Sequence, residues 1–343
     1  MEFSLTSDQK MMQESIRRTL ERAVPLDAVR KGASAFEALK ELGVPGILIP
    51  EADGGLGLTL LDAALVAEQL GRHVAPMPFV ASAVMAPLAL RGTPWLAKLA
   101  GGDIKAGVAV SEQASGARDG AGISVKNRKL SGTAMFVLDA EGADIFVVAD
   151  KFGDLHLVAA KDIEIAPLPT IDVTRTAAKL DLHDVEAEPL KGASVERMID
   201  AGRIILAADT LGAGERMLEK AVAYAKERKQ FGRVIASFQA VKHMCAEMAA
   251  ELEPCRALVW YAAYAFDAMP EQSRRLAAHA KAHTSEVGPF VARTATEVHG
   301  GMGFTDLVGL HYWFKRIGFN RQILGGPERA RDDAARAQGW VGN

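Results

Sequence analysis

Apolar and polar positions alternate along this chain in three successive textures. Over the first hundred residues the apolar positions recur at helical spacing. Met11, Met12, Ile16 and Leu20 follow the pair Thr6 and Gln9, a capping-box spacing that predicts a first helix. Ser34 with Glu37 repeats the signal ahead of FEALKEL, which should stop at Gly43. VPGILIPEADGGLGLT breaks the period with Pro and Gly and reads as a loop with an extended stretch. Thr59 and Asp62 open LLDAALVAEQLG, and a further helix is expected around Val80–Leu90, beyond Pro76 and Pro78.

From about residue 104 the period shortens. IKAGVAV, GISVKN, ADIFVVAD, DLHLVAA and AAKLDLHDV are β-rich runs separated by Gly, Asp and Asn. They predict an antiparallel sheet or small barrel. No helical stretch of useful length falls between 104 and 185, which argues against a parallel βαβ domain. From about 192 the helical period returns in three stretches of twenty residues or more, then in HYWFKRIGF and GPERARDDAARAQGW, as expected for an antiparallel bundle. The expected division is residues 1–103, an N-terminal α-helical domain; 104–190, a middle β domain; and 191–343, a C-terminal helical bundle.

Composition narrows the function classes. The 343 residues suit two or three domains, and 49% hydrophobic with 24% charged is a globular profile. Forty basic residues against 43 acidic give a net charge of −3, which excludes a strongly basic nucleic-acid binder. The two cysteines, Cys245 and Cys255, form no CxxC pair and predict neither a disulfide framework nor a zinc site. The start, MEFSLTSDQK, has no basic segment followed by an apolar one, and no apolar run is long enough to span a membrane, so a reducing cytoplasmic setting is expected.

The familiar signatures of chemistry are missing: no GxGxxG after a strand, no GxxxxGK[ST], no HEXXH and no GxSxG. His279 and His283 stand four apart but without a carboxylate partner, which favours a solvated helix face over a metal site. Two segments stand out. In AKERKQFGRVIASFQ, Arg228 could hold a pyrophosphate through bidentate contacts, Phe231 could pack on an aromatic ring, and Gln239 could read a purine or ribose edge. The plainer reading is a helix–turn–helix corner with solvated basic residues. In EVHGGMGFTD the glycines let backbone approach a ligand closely, or simply cap a helix.

Taken together, in this order and on this three-part plan, the segments carry a resemblance. ALKELGVPGILIPEADGGLGLT, VSEQASGARDG, SGTAMFVLDA, RKQFG…FQ and HGGMGFTD resemble the acyl-CoA dehydrogenase family over nearly the whole chain. The resemblance implies an α+β, mainly α fold: an N-terminal helical domain, a central β-barrel and a C-terminal four-helix bundle. It implies FAD held between barrel and bundle at a subunit interface, an acyl-CoA thioester as substrate and an electron-transfer flavoprotein as electron acceptor. By the same resemblance Arg228, Phe231, Phe238 and Gln239 face the pyrophosphate and adenosine of a neighbour's FAD. Gly300 and Gly301 lie across that cofactor, with Glu297 just before the turn. Ser111, Phe136 and Val137 lie near the isoalloxazine ring.

The chain also departs from the family. The reaction removes an α-proton while hydride leaves the β-carbon, and it needs a carboxylate base in a dry pocket. The two places where family members carry that Glu read Gly202 and Leu324 or Gly325 here. The usual Gln before the glycine turn is Glu297, the aromatic-Ile-Thr trio reads Phe136-Val137-Leu138, and the TEPxAGSD-like loop reads SEQASGARD, one residue longer and without Pro. Asp209, Glu328 and Asp306 are substitute bases to weigh. Asp209 leads because a carboxylate within IILAADTLGA is costly to bury without purpose or partner. An ion pair inside the bundle is the alternative reading for it, with Arg203 as one partner unless Arg203 lines the substrate pocket. The expectation is therefore a base-lacking subunit of a heteromer that completes the FAD site of a larger homologous subunit, of the kind that acts on fatty or steroid side-chain thioesters. The alternative is a self-sufficient homo-oligomeric dehydrogenase with a non-standard base. Oxygen-dependent flavin chemistry rests on fold analogy alone.

Overall fold

The computed structural model describes residues 4–116 and 118–342. Helix α1 (Ser7–Ala23) starts at a true capping box: the Thr6 hydroxyl accepts from Gln9 N–H, and the Gln9 side chain accepts from Thr6 N–H. Thr59 and Asp62 do the same for α4 (Leu60–Arg72). Between them lie α2 (Leu26–Arg30) and α3 (Phe36–Lys40). Ser34 does not cap α3 through a box with Glu37. Its hydroxyl accepts from Phe36 N–H at 3.2 Å and donates to the Pro76 carbonyl at 3.3 Å, tying the corner to a distant loop. The Pro- and Gly-rich stretch holds no strand; it forms two 3₁₀ turns, Val44–Gly46 and Glu51–Asp53, because Pro45 and Pro50 lack an N–H for a ladder.

The helix expected at 80–90 starts as a buried π-helical turn, Phe79–Met85, before α5 (Ala86–Ala89) and α6 (Trp95–Ala100). Its first turn is bonded to the sheet. Ala81 N–H donates to the Asp139 carboxylate at 2.8 Å, and the Ser82 hydroxyl accepts from Ala106 N–H at 3.0 Å.

The middle segment forms β1 (Ala106–Ala109), β2 (Gly122–Lys126), β3 (Lys129–Leu138), β4 (Ile145–Ala149), β5 (Leu155–Ala159), β6 (Glu164–Leu168), β7 (Ala177–Glu186) and β8 (Glu188–Pro189), with the short helix α7 (Ser111–Ser115) after β1. The order is β6-β7-β3-β1-β4-β5-β8, and β2 also pairs with β3. The sheet is mixed, because β4 returns beside β1 in parallel while every other pair is antiparallel. Its edge strands β6 and β8 are not paired with each other among the described residues, so hydrogen bonds do not close it into a ring. β4 is buried along its whole length, which explains why its sequence is a continuous apolar run.

The last segment holds α8 (Val195–Glu227), α9 (Gln239–Ala268), α10 (Pro270–His299), α11 (Leu310–Gln322) and α12 (Pro327–Ala337). Nearly every residue of α8 from Val195 to Gly214 is buried, so it is the central helix of the molecule. Helix α4 crosses it at backbone contact. A Cβ on Gly71 would stand 1.9 Å from the Asp209 carbonyl oxygen, and one on Gly212 would stand 1.9 Å from the Glu68 carbonyl oxygen. Only glycine allows this crossing, and it merges the N-terminal helices and the bundle into one apolar core. No helix among the described residues is long and apolar enough to cross a membrane.

Candidate functional site

The structure brings Gly202 and Leu324, the positions that the resemblance assigns to the family's base, into direct contact. Gly202 is buried on α8, and a Cβ there would meet Leu324 Cδ1 at 2.5 Å and Met85 Sδ at 2.8 Å. Leu324 itself is 4% exposed and sits at φ +56°, a left-handed conformation that a branched side chain adopts only when its surroundings hold it there. Arg203 does the holding. Its Nε donates to the Leu324 carbonyl at 2.9 Å, its Nη2 to the Ala114 carbonyl at 3.3 Å, and Nη2 also pairs with Asp333 at 2.7 Å. The space beside Gly202 is packed with leucine and methionine.

Asp209 lies in the same helix but in a different environment. Arg316 grips it with two bonds, Nε to Oδ1 at 3.0 Å and Nη2 to Oδ2 at 2.7 Å. Arg175 adds Nη2 to Oδ2 at 2.8 Å, and Asn320 adds Nδ2 to Oδ1 at 2.7 Å. Burial pushes the carboxyl upward, but the two guanidinium groups outweigh it and hold Asp209 below the usual carboxylate range. So held, it is a poor proton acceptor and a structural anion. Its partners are Arg316 and Arg175, not Arg203. Asp306 and Glu328 are mostly exposed and paired with arginines, Arg30 and Arg321, so neither stands in a dry pocket.

Among the described residues several buried carboxylates gave no sequence signal, Asp139 among them, and two stand out. Asp200 is 4% exposed, and burial pushes its pKa up to about 6. It stands two residues before Gly202, so it points away from the Gly202 face and toward Arg274, at 3.6 Å. Glu68 on α4 is pushed up to about 8, mainly by burial with help from Glu215, although Trp260 Nε1–H donates to it at 2.6 Å. A raised carboxyl pKa marks a candidate acid or base. Only the folded contacts reveal it, because the surrounding sequence VAEQL is an ordinary helix.

The other nominated elements face outward. After Arg228, which caps α8, the chain forms a hairpin of β9 (Lys229–Gln230) and β10 (Arg233–Val234) in place of the expected helical corner. Phe231 and Gly232 both have positive φ, +51° and +77°, the geometry of a type I′ turn. This lifts Phe231 into solvent, 91% exposed. Phe238 packs edge-on to it at 6.1 Å, and the Arg233 guanidinium lies 4.1 Å over the Phe238 ring. Gln239 opens α9 and is exposed, as is Arg228. Tyr224, one turn before Arg228, stacks on His299 at 4.5 Å, which brings the end of α8 beside the glycine turn at the end of α10. Gly300 is at φ +57°, and a Cβ on Gly301 would meet nothing within 4 Å. Glu297 is exposed on the last turn of α10, and Phe304 is 80% exposed just beyond.

In the sheet, Phe136 sits at a bulge where the register of β3 with β7 breaks between Ala134 and Val137. Its φ is +52°, and the bulge turns its ring partly into solvent while Val137 is fully buried in the sheet core. Val137 pairs with Ala178 of β7 and presents no exposed surface. Ser111, 7% exposed, opens α7 beside the bulge, where Glu112 accepts from Met135 N–H at 3.3 Å. Ala114, one turn on, touches Arg203, so this patch borders the filled base site. His279 and His283 line a groove of about 670 Å³ between α9, α10 and α12, away from all of these residues.

Residues 6–103 match the acyl-CoA dehydrogenase N-terminal domain, and residues 192–339 match its C-terminal domain. The chain belongs to the acyl-CoA dehydrogenase family, whose members are FAD-dependent oxidoreductases. It is 30% identical to acyl-CoA dehydrogenase IpdE2 of Mycolicibacterium smegmatis over 94% of this chain and 96% of that one. It is 34% identical to IpdE2 of Mycobacterium tuberculosis over 84% and 81%. A solved structure described as a Tcur3481-Tcur3483 steroid ACAD variant superposes with a TM-score of 0.86 at 27% identity, over 97% of this chain and 98% of that one. The ChsE4-ChsE5 complex from Mycobacterium tuberculosis gives 0.89 at 24% over the full length of both, a likeness of fold.

The residues present fit FAD at the outer rim. Arg228 and Arg233 offer charge to a pyrophosphate, Phe231 and Phe238 offer ring faces, and Gly301 leaves backbone open.

Proposed function

We propose that this chain is the base-lacking subunit of a hetero-oligomeric acyl-CoA dehydrogenase working in the cytoplasm. In this reading it completes the FAD site of a larger homologous catalytic subunit that carries out α,β-dehydrogenation of an acyl-CoA thioester. The carrying observation is the contact of Leu324 and Met85 with Gly202. A chain that had merely lost its base would leave a pocket; Leu324 and Met85 beside Gly202 support the reading that here the space is filled. Asp209, the leading substitute, is spent on Arg316 and Arg175.

FAD, when bound, accepts the hydride. This chain's part is to hold and shield. Arg228 and Arg233 would meet the pyrophosphate, Phe231 and Phe238 would cover the adenosine, and the Gly300–Gly301 backbone would lie against the cofactor. Electrons would pass on to an electron-transfer flavoprotein. Two of the similar proteins are heteromeric by name, Tcur3481-Tcur3483 and ChsE4-ChsE5, and the first is called a steroid ACAD, which favours a bulky acyl group here as well.

The test is the visible spectrum of the purified chain before and after anaerobic addition of acyl-CoA thioesters. The expected result is a chain that no thioester bleaches, and a flavin band that bleaches once a longer homologue carrying the Glu is co-expressed. A flavin band on this chain alone that bleaches with a thioester would sink the subunit reading in favour of the self-sufficient enzyme.

A further inference from the structure

The patch of this chain that faces a flavin ring by family resemblance is covered by one of its own side chains. The guanidinium of Arg118 lies 4.9 Å from the centre of the Phe136 ring. Its Nη1 donates to the Ser111 hydroxyl at 2.8 Å. Among the described residues Arg118 makes no ion pair, so the ring and the hydroxyl are what hold it there. Phe136 reaches it because the β3 bulge and a positive φ swing the ring out of the sheet. The loop from Ser111 to Arg118 is the one that carries an additional residue and no Pro relative to the family pattern.

We propose that Arg118 obstructs this chain's own flavin seat, so that the chain serves a neighbour's FAD while binding FAD more weakly at its own middle sheet. The proposal rests on the subunit reading given above. A planar guanidinium on an aromatic face occupies the surface on which a second flat ring would stack. FAD entering here would have to displace both the ring contact and the Ser111 bond. Cation–π contacts at exposed positions and single hydrogen bonds are each modest, so the obstruction is worth about tenfold in Kd.

The experiment is equilibrium dialysis of FAD against the purified full-length chain, wild type and Arg118→Ala. Arg118 is exposed, so the variant should fold, and a circular-dichroism melt checks this. The expected result is FAD binding at least about tenfold tighter in Arg118→Ala. Equal or weaker binding in the variant overturns the proposal, weaker binding showing Arg118 to be a cofactor ligand. No measurable binding in either protein overturns it too, because something other than Arg118 would then close the seat. In both cases the subunit reading stands as long as the wild type remains unbleached by thioesters. A wild type that binds one FAD per chain and bleaches overturns both.

Discussion

One helix, α8, carries both regions on which the proposed function rests, and they have opposite character. Gly202 lies in its first third and Arg228 at its end, about 39 Å apart at ~1.5 Å per residue. Around Gly202 the side facing a Cβ is filled: Leu324 Cδ1 and Met85 Sδ would stand 2.5 and 2.8 Å from it, and Arg203 bonds the Leu324 carbonyl. Around Arg228 the chain opens, and Phe231, Phe304 and Gly301 face solvent. A family member that still did its own proton abstraction would need the inner region open and dry. A member that only serves a neighbour's cofactor needs the outer region alone. The contrast teaches that, on the proposed reading, the missing glutamates belong to a rebuilt core, not to a vacant one.

The largest effect should come from the anchor of the inner region. Asp209→Asn leaves Arg316 and Arg175 buried without their counter-charge, and breaking a buried pair costs about 3–5 kcal/mol. Urea unfolding would measure it. A loss below about 1 kcal/mol would show that the network does not hold the inner region.

Next is Gly202→Glu, which restores the family residue without restoring its space. Overpacking alone should cost roughly 1–3 kcal/mol, with the buried charge adding to it. Adding Leu324→Gly should recover part of the melting temperature. An unchanged melting temperature in the single variant would mean that the inner region is open after all.

The buried carboxylates should respond oppositely to pH. Glu68 has an ordinary value of 4.5 and is raised to about 8 in the fold. The folded chain therefore keeps a proton that the unfolded chain has lost. That contribution is complete below about pH 4.5 and is lost as pH rises through about 8, at up to about 1.4 kcal/mol per pH unit. Asp209, held low, contributes stability that is lost as pH falls. Glu68→Gln should flatten the alkaline decline in melting temperature, and a decline that persists unchanged would assign it to another group.

The smallest effect on stability should belong to the outer region. Phe231→Ala removes a ring that is 91% exposed, so the chain's own stability should move by no more than about 0.5 kcal/mol. The flavin retained by the co-purified complex should nevertheless fall severalfold. A complex that keeps its full flavin would detach this hairpin from the cofactor.

Much of this was legible in the sequence. Both true capping boxes and the helix–sheet–helix order were written in local patterns, whereas Gly202 and Leu324 were singled out only through the family resemblance. The parts that were not legible depend on distant partners. Ser34 bonds to Pro76, 42 residues on, so its box with Glu37 never forms. The parallel pairing of β1 with β4 is set by how the strands between them fold back, which no single run records. The hairpin at Phe231 hides because a positive φ at a phenylalanine has no sequence signature, unlike one at Gly. Asp209 was rightly singled out as unusual, but its two arginines come from a loop 34 residues before it and a helix 107 residues after it.

The reciprocal glycine crossing of α4 on α8 has a consequence for synthesis. On the ribosome α4 emerges more than a hundred residues before the stretch of α8 that it must touch. At ~5–20 residues per second, that interval is on the order of ten seconds. Throughout it the flank of α4 that crosses α8 lacks that partner, although α1 can already pack on its other side. The first helices of this chain are therefore a nascent segment in waiting, the stage at which a chaperone, or an already finished subunit, would find the most to hold.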